Sequence, residues 1–284
     1  MDIAEFLHDC RAEWEGFDDH ERLAEAAHPR DRRLAGLPAR IEGWATENKL
    51  MLLNLAARHL EPGEVYVEIG CWRGLSLAGA AHGNEDAPIY ACDDFSRMGA
   101  SREELQQALL RHTDPGHVHF FDQDFRAFLE RAPWRPAKVG AYCYGGGHSF
   151  QEQFAALELI HPHLADRALI IINDTNYLPV RRANRLFMRY NPGFELLCDV
   201  RVREYQDQSW WNGIQLIGYR KAGPQREAER GQVPLARYVA ERVLWNRALC
   251  YGQRAFRLVA YGRRAMRNTL SRVLLGRGPV GTEA

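Results

Sequence analysis

The sequence has no run of apolar residues that approaches the ~18 needed to span a membrane. Its N-terminus has early acidic residues and no long apolar core, so we expect no signal peptide. The six cysteines include no C-x-x-C pair, which argues against a zinc site and against a disulfide framework. Cysteines scattered in this way are more typical of reduced thiols in a cytoplasmic protein.

The formal net charge is zero, because the chain has 37 basic and 37 acidic residues. The net charge of the whole chain therefore does not indicate a charged partner. The distribution is uneven: residues 222–284 hold 12 arginines and 4 acidic residues, net +8, which leaves net −8 for residues 1–221. A chain of 284 residues, 46% hydrophobic and 26% charged, suits one α/β domain with extensions. We divide it into an N-terminal helical cap (1–45), a central domain (46–221) and the basic helical extension.

A glycine turn organises the central domain. The stretch Val65–Ser76 reads VYVEIGCWRGLS: a short apolar strand enters a turn framed by Gly70 and Gly74, and Leu75–Ala81 then begins a helix. An open α/β sheet receives nucleotide-like ligands at such a strand–turn–helix. The G-x-G-x-x-G of a dinucleotide site is absent, and Glu68 would place a negative charge beside a pyrophosphate. A cationic or hydroxyl-rich ligand fits better.

Two helical segments precede this stretch. Met1–His28 is amphipathic and is predicted to be helical up to Pro29. Thr46 is predicted to N-cap a helix that runs to about His59 and packs its leucines against the sheet.

The second predicted strand, Ile89–Asp93, ends in an acid. An acid in this position can accept hydrogen bonds from both ribose hydroxyls of a bound nucleoside. We therefore assign that role to Asp93, with Asp94 as the fallback. A helix cap or an ordinary loop carboxylate is the alternative.

Two later strands deliver polar residues. Lys138–Tyr144 runs into a triple glycine and His148, and Ala168–Ile172 runs into Asn173 and Asp174. Adjacent parallel strands place such residues at one edge of the sheet, where the chemistry of these sheets occurs. Two alternating strands, Glu195–Arg203 and Ile214–Arg220, are predicted to close the sheet in antiparallel fashion.

These motifs make residues 46–221 resemble the class I S-adenosylmethionine (SAM) methyltransferases, and within them the macrocin O-methyltransferase and cephalosporin hydroxylase-like group. The resemblance implies an α/β fold: a Rossmann-like, seven-stranded, mostly parallel sheet with helices on both faces. It implies SAM as the cofactor. The implied cofactor-binding residues are Glu68, Gly70, Cys71, Gly74, Ser76, Asp93 and Asp124. Asp124 stands where family members often bind the adenine amino group, and it could equally cap a helix.

The same resemblance implies the catalytic residues. The group carries D-G-x-H after the fourth strand and an acidic pair after the fifth; in its sugar O-methyltransferases the acids bind Mg²⁺ and the histidine is the proposed base. By position, His148 corresponds to the base and Asp174 to a metal ligand. Asn173 replaces one acid of the acidic pair, and Gly145 replaces the aspartate of D-G-x-H. Because Mg²⁺ prefers carboxylate oxygens, its presence here stays open. The alternative for His148 is a histidine at a helix start that bonds to backbone.

The implied activity is O-methylation of a small polyhydroxylated acceptor, such as a sugar, a glycosylated metabolite or a surface-glycan precursor, in natural product or glycan biosynthesis. Candidates to line the acceptor pocket are Tyr177, Arg181, Trp210 and Trp211, although the two tryptophans fit packing equally well. A rival hypothesis is a SAM-binding protein that has lost catalysis and uses its tail for assembly or membrane docking. Gly145 is its best support.

The tail from Gly231 onward shows broken helical periodicity, with arginine at many other positions. A docking or dimer helix of a homo-oligomer is the interpretation we favour. Peripheral contact with an anionic membrane is the second. Nucleic-acid binding is the least favoured, because no nucleic-acid module accompanies the arginines.

Overall fold

The structure is a computed structural model that describes residues 1–221 and 239–244. Its helices are α1 (Ile3–Glu13), α2 (His20–Ala24), α3 (Glu47–Arg58), α4 (Leu75–Ala81), α5 (Arg102–His112), α6 (Phe125–Arg131), α7 (Phe150–Ile160) and α8 (Leu178–Tyr190). Its strands are β1 (Glu64–Ile69), β2 (Ile89–Asp93), β3 (Val118–Asp122), β4 (Lys138–Tyr144), β5 (Leu164–Asn173), β6 (Phe194–Val200) and β7 (Ile214–Arg220).

The seven strands form one sheet in the order β3-β2-β1-β4-β5-β7-β6. Strands β1 to β5 are parallel, and β7 runs antiparallel to both β5 and β6. The predicted seven-stranded, mostly parallel sheet is therefore confirmed. Since the strand order reverses between β1 and β4, the loops that follow these two strands diverge there and leave a crevice at the carboxyl edge.

Helices cover both faces of the sheet, as predicted. Strand β4 shows why: Ala141 and Cys143 belong to one hydrophobic cluster, and Tyr142 and Tyr144 to the other, because successive side chains of a strand point to opposite faces. The first cluster is packed under α1, α3, α4 and α5, and the second under α6, α7 and α8. A parallel sheet covered in this way needs apolar strands, and β4 is buried from its second residue onward.

The N-terminal segment differs from its prediction. The helix predicted over 1–28 is interrupted, since α1 ends at Glu13 and α2 begins only at His20. Gly16 lies between them at φ +78°, a conformation that a regular helix does not contain. Trp14, at the break, is buried and donates from Nε1 to Asn48 Oδ1 at 2.8 Å, so the cap packs directly on α3.

Most other predicted boundaries agree with the structure within a few residues. Thr46 is the N-cap of α3, and its side chain accepts from the Lys49 amide. Strand β6 ends at Val200, three residues before the predicted end at Arg203, and β5 begins at Leu164, four residues before the predicted start at Ala168. Most of the predicted tail lies outside the described residues; within the described part, Arg242 contacts Glu158 of α7 at 3.0 Å. None of the described helices is long and apolar enough to cross a membrane.

Candidate active site

The turn after β1 meets the loop after β4 at the crevice. Gly70 has φ +84°, and a Cβ added to it would lie 2.6 Å from the carbonyl carbon of Gly145. Any side chain there would push the two loops apart, so the position needs glycine for both its backbone conformation and its space. Gly74, at φ +88°, is the N-cap of α4. The backbone of this turn is therefore open to a ligand.

Glu68 lies behind the turn and is 1% exposed. Its carboxyl group accepts hydrogen bonds from the Tyr66 hydroxyl at 2.8 Å and from the Ser76 hydroxyl at 2.5 Å. Burial raises the pKa of Glu68 to about 7, and the two hydrogen bonds only partly oppose this effect. A cation brought next to this group would stabilise its ionised form.

Asp93 joins the end of β2 to the glycine turn. Its carboxylate accepts from the amide of Trp72 at 2.8 Å and from the amide of Phe95 at 2.9 Å. Burial raises its pKa, against the effect of these backbone bonds. Each carboxylate oxygen retains a second lone pair for a ligand hydroxyl. Asp94 is exposed and bonds instead to Ser96.

Asp124 is an exposed N-cap of α6, where it accepts from the Arg126 amide at 2.8 Å. The capping alternative for this residue is thus present in the structure. The cap uses Oδ1, and the Arg126 guanidinium contacts Oδ2 at 3.4 Å, so both oxygens have a partner in the structure.

A cavity occupies the crevice and brings three parts of the chain together. The turn after β1, the start of α3 with the loop before it, and the residues that follow β4 and β5 all contribute to its wall. Trp44 stacks on Trp72 with ring centroids 4.3 Å apart and planes inclined by 13°. The wall includes Lys49, Gly70, Ser76, Gly145, Asn173 and Asp174.

His148 and Asp174 converge at this edge, as the parallel strands predict. The His148 Nε2 atom lies 3.3 Å from Asp174 Oδ2, and Asn212 donates from Nδ2 to Asp174 Oδ1 at 2.8 Å. Burial raises the pKa of Asp174, but the contacts with His148, the charge of Lys49 and the Asn212 bond outweigh it and lower the pKa to about 2. Asp174 is therefore an anion that can orient a histidine ring.

The Tyr177 ring stacks on His148 at 4.8 Å with planes inclined by 14°, and its hydroxyl donates to that of Tyr205 at 2.8 Å. Of the four acceptor candidates, Tyr177 thus contacts His148, the candidate base. Trp211 is half-buried, and its backbone pairs with Asp207 in a β-bridge.

The other two acceptor candidates are corrected by the structure. Trp210 is fully buried, packs on Trp14 at 5.5 Å and donates from Nε1 to the Leu23 carbonyl at 2.6 Å. Arg181 is 6% exposed and its Nη1 pairs with Asp199 of β6 at 2.5 Å. Both side chains are held inside the protein by these partners, so they stabilise the fold and do not face an acceptor.

Residues 67–175 match a family model described as a methyltransferase domain. Over these residues the chain is similar to a methyltransferase domain. The matched segment begins in β1 and ends one residue after Asp174, so it includes the glycine turn, Asp93 and His148. A comparison with curated proteins finds no match.

Solved structures share the fold of this methyltransferase. The O-methyltransferase from Bacillus cereus in complex with SAH is 13% identical with a TM-score of 0.52, over 71% of this chain and 96% of that one. Cofactor-bound Rv0187 from MTB is 17% identical with a TM-score of 0.50, over 78% of this chain and 97% of that one. A protein from Corynebacterium glutamicum is 13% identical with a TM-score of 0.50, over 78% of this chain and 100% of that one. At these identities the likeness establishes the fold.

The donor atoms of the methyltransferase do not fit Mg²⁺. Asp174 is the single carboxylate next to Asn173, whose Oδ1 atom is buried without a hydrogen-bond partner. Gly145 adds no carboxylate. No cluster of three or more His, Cys, Asp or Glu residues suited to a metal occurs among the described residues. Mg²⁺ usually needs more oxygen ligands of higher charge than this set provides.

Lys49 is the residue that the sequence reasoning missed. It lies in the first turn of α3, is 2% exposed, and lines the same cavity as Asn173 and Asp174. Burial lowers its pKa, and the charge of Asp174 opposes that shift. The sequence did contain a signal, because Lys49 precedes Leu53 by one helical turn and so falls on the predicted apolar face of the helix.

The start of α3 is fixed by the loop between β6 and β7. The Ser209 carbonyl accepts from the Thr46 hydroxyl at 2.7 Å and from the Asn48 side chain at 3.0 Å. The same loop supplies Asn212, which holds Asp174. One loop therefore positions both the helix that bears Lys49 and the carboxylate of Asp174.

Proposed function

We propose that the protein is a SAM-dependent O-methyltransferase that acts on a hydroxyl of a small polyhydroxylated acceptor, such as a sugar or a glycosylated metabolite. One observation carries the proposal: a single cavity joins the glycine turn after β1 to Asp174, the partner of His148. The glycine turn and Asp174 thus border the same cavity, and His148 contacts Asp174.

The cofactor would be held by the residues around the turn. Gly70 and Gly74 leave room for it, Ser76 lines the cavity, and Glu68 behind Ser76 offers a carboxyl group to the positive charges of SAM. Asp93 would accept the ribose hydroxyls. When bound, SAM supplies an electrophilic methyl group attached to a sulfonium.

The protein has two further tasks, which are to align the acceptor oxygen and to remove its proton. His148 would take that proton. In a neutral ring that carries its proton on Nε2, the nitrogen nearest Asp174, the Nδ1 atom carries the lone pair. The imidazolium that forms is stabilised by the Asp174 carboxylate, which the pKa of about 2 keeps ionised at any pH near neutral.

The acceptor class rests on the aromatic surfaces near the site. Tyr177 places its ring against His148, and its hydroxyl bonds to that of Tyr205, a residue that is 65% exposed. Trp44, 41% exposed, adds a flat apolar side chain to the lining of the cavity. Rings that stack on apolar faces of an acceptor while hydroxyls bond to its edges suit a sugar or a similar polyol.

The proposal is tested by calorimetric titration with SAM and with S-adenosylhomocysteine, followed by transfer of labelled methyl to a panel of sugars, glycosides and polyols. We expect binding of both and label in a neutral, base-stable methyl ether. Binding without transfer to any acceptor would support the rival, a SAM-binding protein without catalysis. Absence of binding would reject both.

A further inference from the structure

We propose that the ammonium of Lys49 takes the place of a divalent metal ion in this methyltransferase and stabilises the acceptor oxygen as it loses its proton. The inference rests on the proposed O-methyl transfer. The acceptor oxygen forms its bond to the methyl carbon as the methyl–sulfur bond breaks, the electron pair of that bond stays on sulfur, and the hydroxyl proton passes to His148. Lys49 neither gains nor loses a proton in this step.

The position of Lys49 is the first argument. Its side chain is 2% exposed yet lines the cavity together with Gly145, Asn173 and Asp174, which are the positions where a metal site would need its ligands. Among the described residues, its ammonium has neither a hydrogen bond nor a carboxylate within ion-pair distance, and the hydrogen bond of Lys49 is made by its backbone amide. An ammonium without such a partner is costly to bury, so a lysine held here is poised for an anionic or oxygen-rich ligand.

Charge balance is the second argument. A magnesium site of the related kind sets several carboxylates against one divalent cation, whereas this cavity sets the single carboxylate of Asp174 against one ammonium. Compared with the related sugar O-methyltransferases, this chain has glycine in place of the acid at position 145 and asparagine in place of one acid at position 173. Fewer carboxylates match the replacement of a divalent cation by the single positive charge of an ammonium. Adding Mg²⁺ beside Lys49 would place two cations in one small cavity, where the local dielectric strengthens their repulsion.

Asn173 is the third argument. Its Oδ1 atom is buried and has no partner, while its Nδ2 donates to Cys143 Sγ at 3.5 Å. A buried acceptor of this kind is normally satisfied by a donor that arrives with the ligand. A polyol acceptor would satisfy both groups, because a neighbouring hydroxyl can donate to Asn173 Oδ1 while the reacting oxygen accepts from the Lys49 ammonium.

The test measures metal binding apart from turnover. Binding of Mn²⁺ is followed by electron paramagnetic resonance in the presence of S-adenosylhomocysteine, for wild type, Gly145→Asp, Lys49→Met and the double variant. We expect no site-bound Mn²⁺ in wild type at millimolar metal, and at least about tenfold tighter binding in the double variant than in Gly145→Asp alone. Tight Mn²⁺ binding by wild type that Asp174→Asn abolishes would overturn the proposal, as would equal affinity of the two Gly145→Asp proteins.

A second measurement identifies what Lys49 touches. Calorimetric titration with S-adenosylhomocysteine should give Lys49→Met an affinity within about threefold of wild type, while methyl transfer by Lys49→Met falls about 10- to 100-fold and is not rescued by Mg²⁺. Wild-type transfer should persist in EDTA. A cofactor affinity that falls tenfold or more would show that Lys49 binds the cofactor carboxylate instead, and would overturn the proposal.

Lys138→Met is the matched control, because Lys138 is exposed at the opposite end of β4 and should change neither quantity. Circular dichroism confirms that each variant is folded. If wild type binds the cofactor but transfers no methyl, the proposed function fails, whereas the Mn²⁺ comparison still decides whether Lys49 opposes a metal.

Discussion

His148 Nε2 lies 3.3 Å from Asp174 Oδ2, and this contact joins the loop after β4 to the loop after β5. Replacing His148 by alanine removes the proposed proton acceptor and should lower turnover by about 10²- to 10⁴-fold. Binding of SAM should be retained, since the glycine turn is untouched. Initial rates and calorimetry measure the two effects. His8→Ala on the exposed face of α1 is the control, and full activity of His148→Ala would refute the base assignment.

Glu68 gives cofactor binding a pH dependence. Its pKa is about 7 in the folded protein, and the positive charge of SAM should lower it, so binding releases a proton below that pH. Affinity should therefore rise as the pH increases through about 7. Titrations in buffers of different ionisation enthalpy measure the proton release. In Glu68→Gln the release and the pH dependence should both disappear; their persistence would place the coupled proton elsewhere.

The same residue links stability to pH. The pKa of Glu68 rises from 4.5 to about 7 on folding, so its contribution to stability is fully present below pH 4.5 and is lost as the pH rises through 7. Relative to Glu68→Gln, the wild type should lose up to about 3 kcal/mol of unfolding free energy across that window. Urea unfolding of both proteins below and above it measures the difference, and parallel curves would contradict the shift.

Gly70 should tolerate no side chain. Alanine at this position combines a positive φ, which costs roughly 1–2 kcal/mol, with a clash against Gly145. We expect Gly70→Ala to lose more stability than this and to bind SAM weakly. Gly83→Ala isolates the conformational cost, because Gly83 also has a positive φ (+68°) but no atom within 4 Å of an added Cβ. Equal loss of unfolding free energy in the two variants would mean that the loops do not touch.

Asp93 is expected to bind the ribose. Asp93→Ala removes a charged acceptor and should weaken SAM binding by about 1.5–3 kcal/mol, measured by calorimetry. Asp94→Ala is the matched control on the neighbouring, exposed carboxylate. If affinity falls only in Asp94→Ala, the ribose role moves to that residue.

Local patterns explain what the sequence could predict. The turn from β1 to α4 was predictable because two glycines and an apolar strand specify it within a dozen residues. The meeting of His148 with Asp174 was predictable because parallel strands end at the same edge of a sheet. Neither inference needs the orientation of a side chain.

Other features depend on tertiary packing. Whether Trp210 faces a ligand or the core is decided by Trp14, which is almost two hundred residues away in the chain and contacts it in the first hydrophobic cluster. The position of Lys49 in the same cavity as Asn173 and Asp174 depends on how α3 packs over the sheet, which the sequence alone does not give. The turn at Gly16 that divides the predicted first helix likewise follows from the burial of Trp14 against α3.

The loop between β6 and β7 sets a limit on how this enzyme can diversify. Its tip around Tyr205 is exposed and can vary with the acceptor, so new specificities can arise there without loss of the fold. Its base cannot vary in the same way, because the Ser209 carbonyl fixes α3 and the Asn212 amide fixes Asp174. Insertions near the tip that preserve the segment Ser209–Asn212 should therefore be tolerated far more readily than single substitutions within that segment.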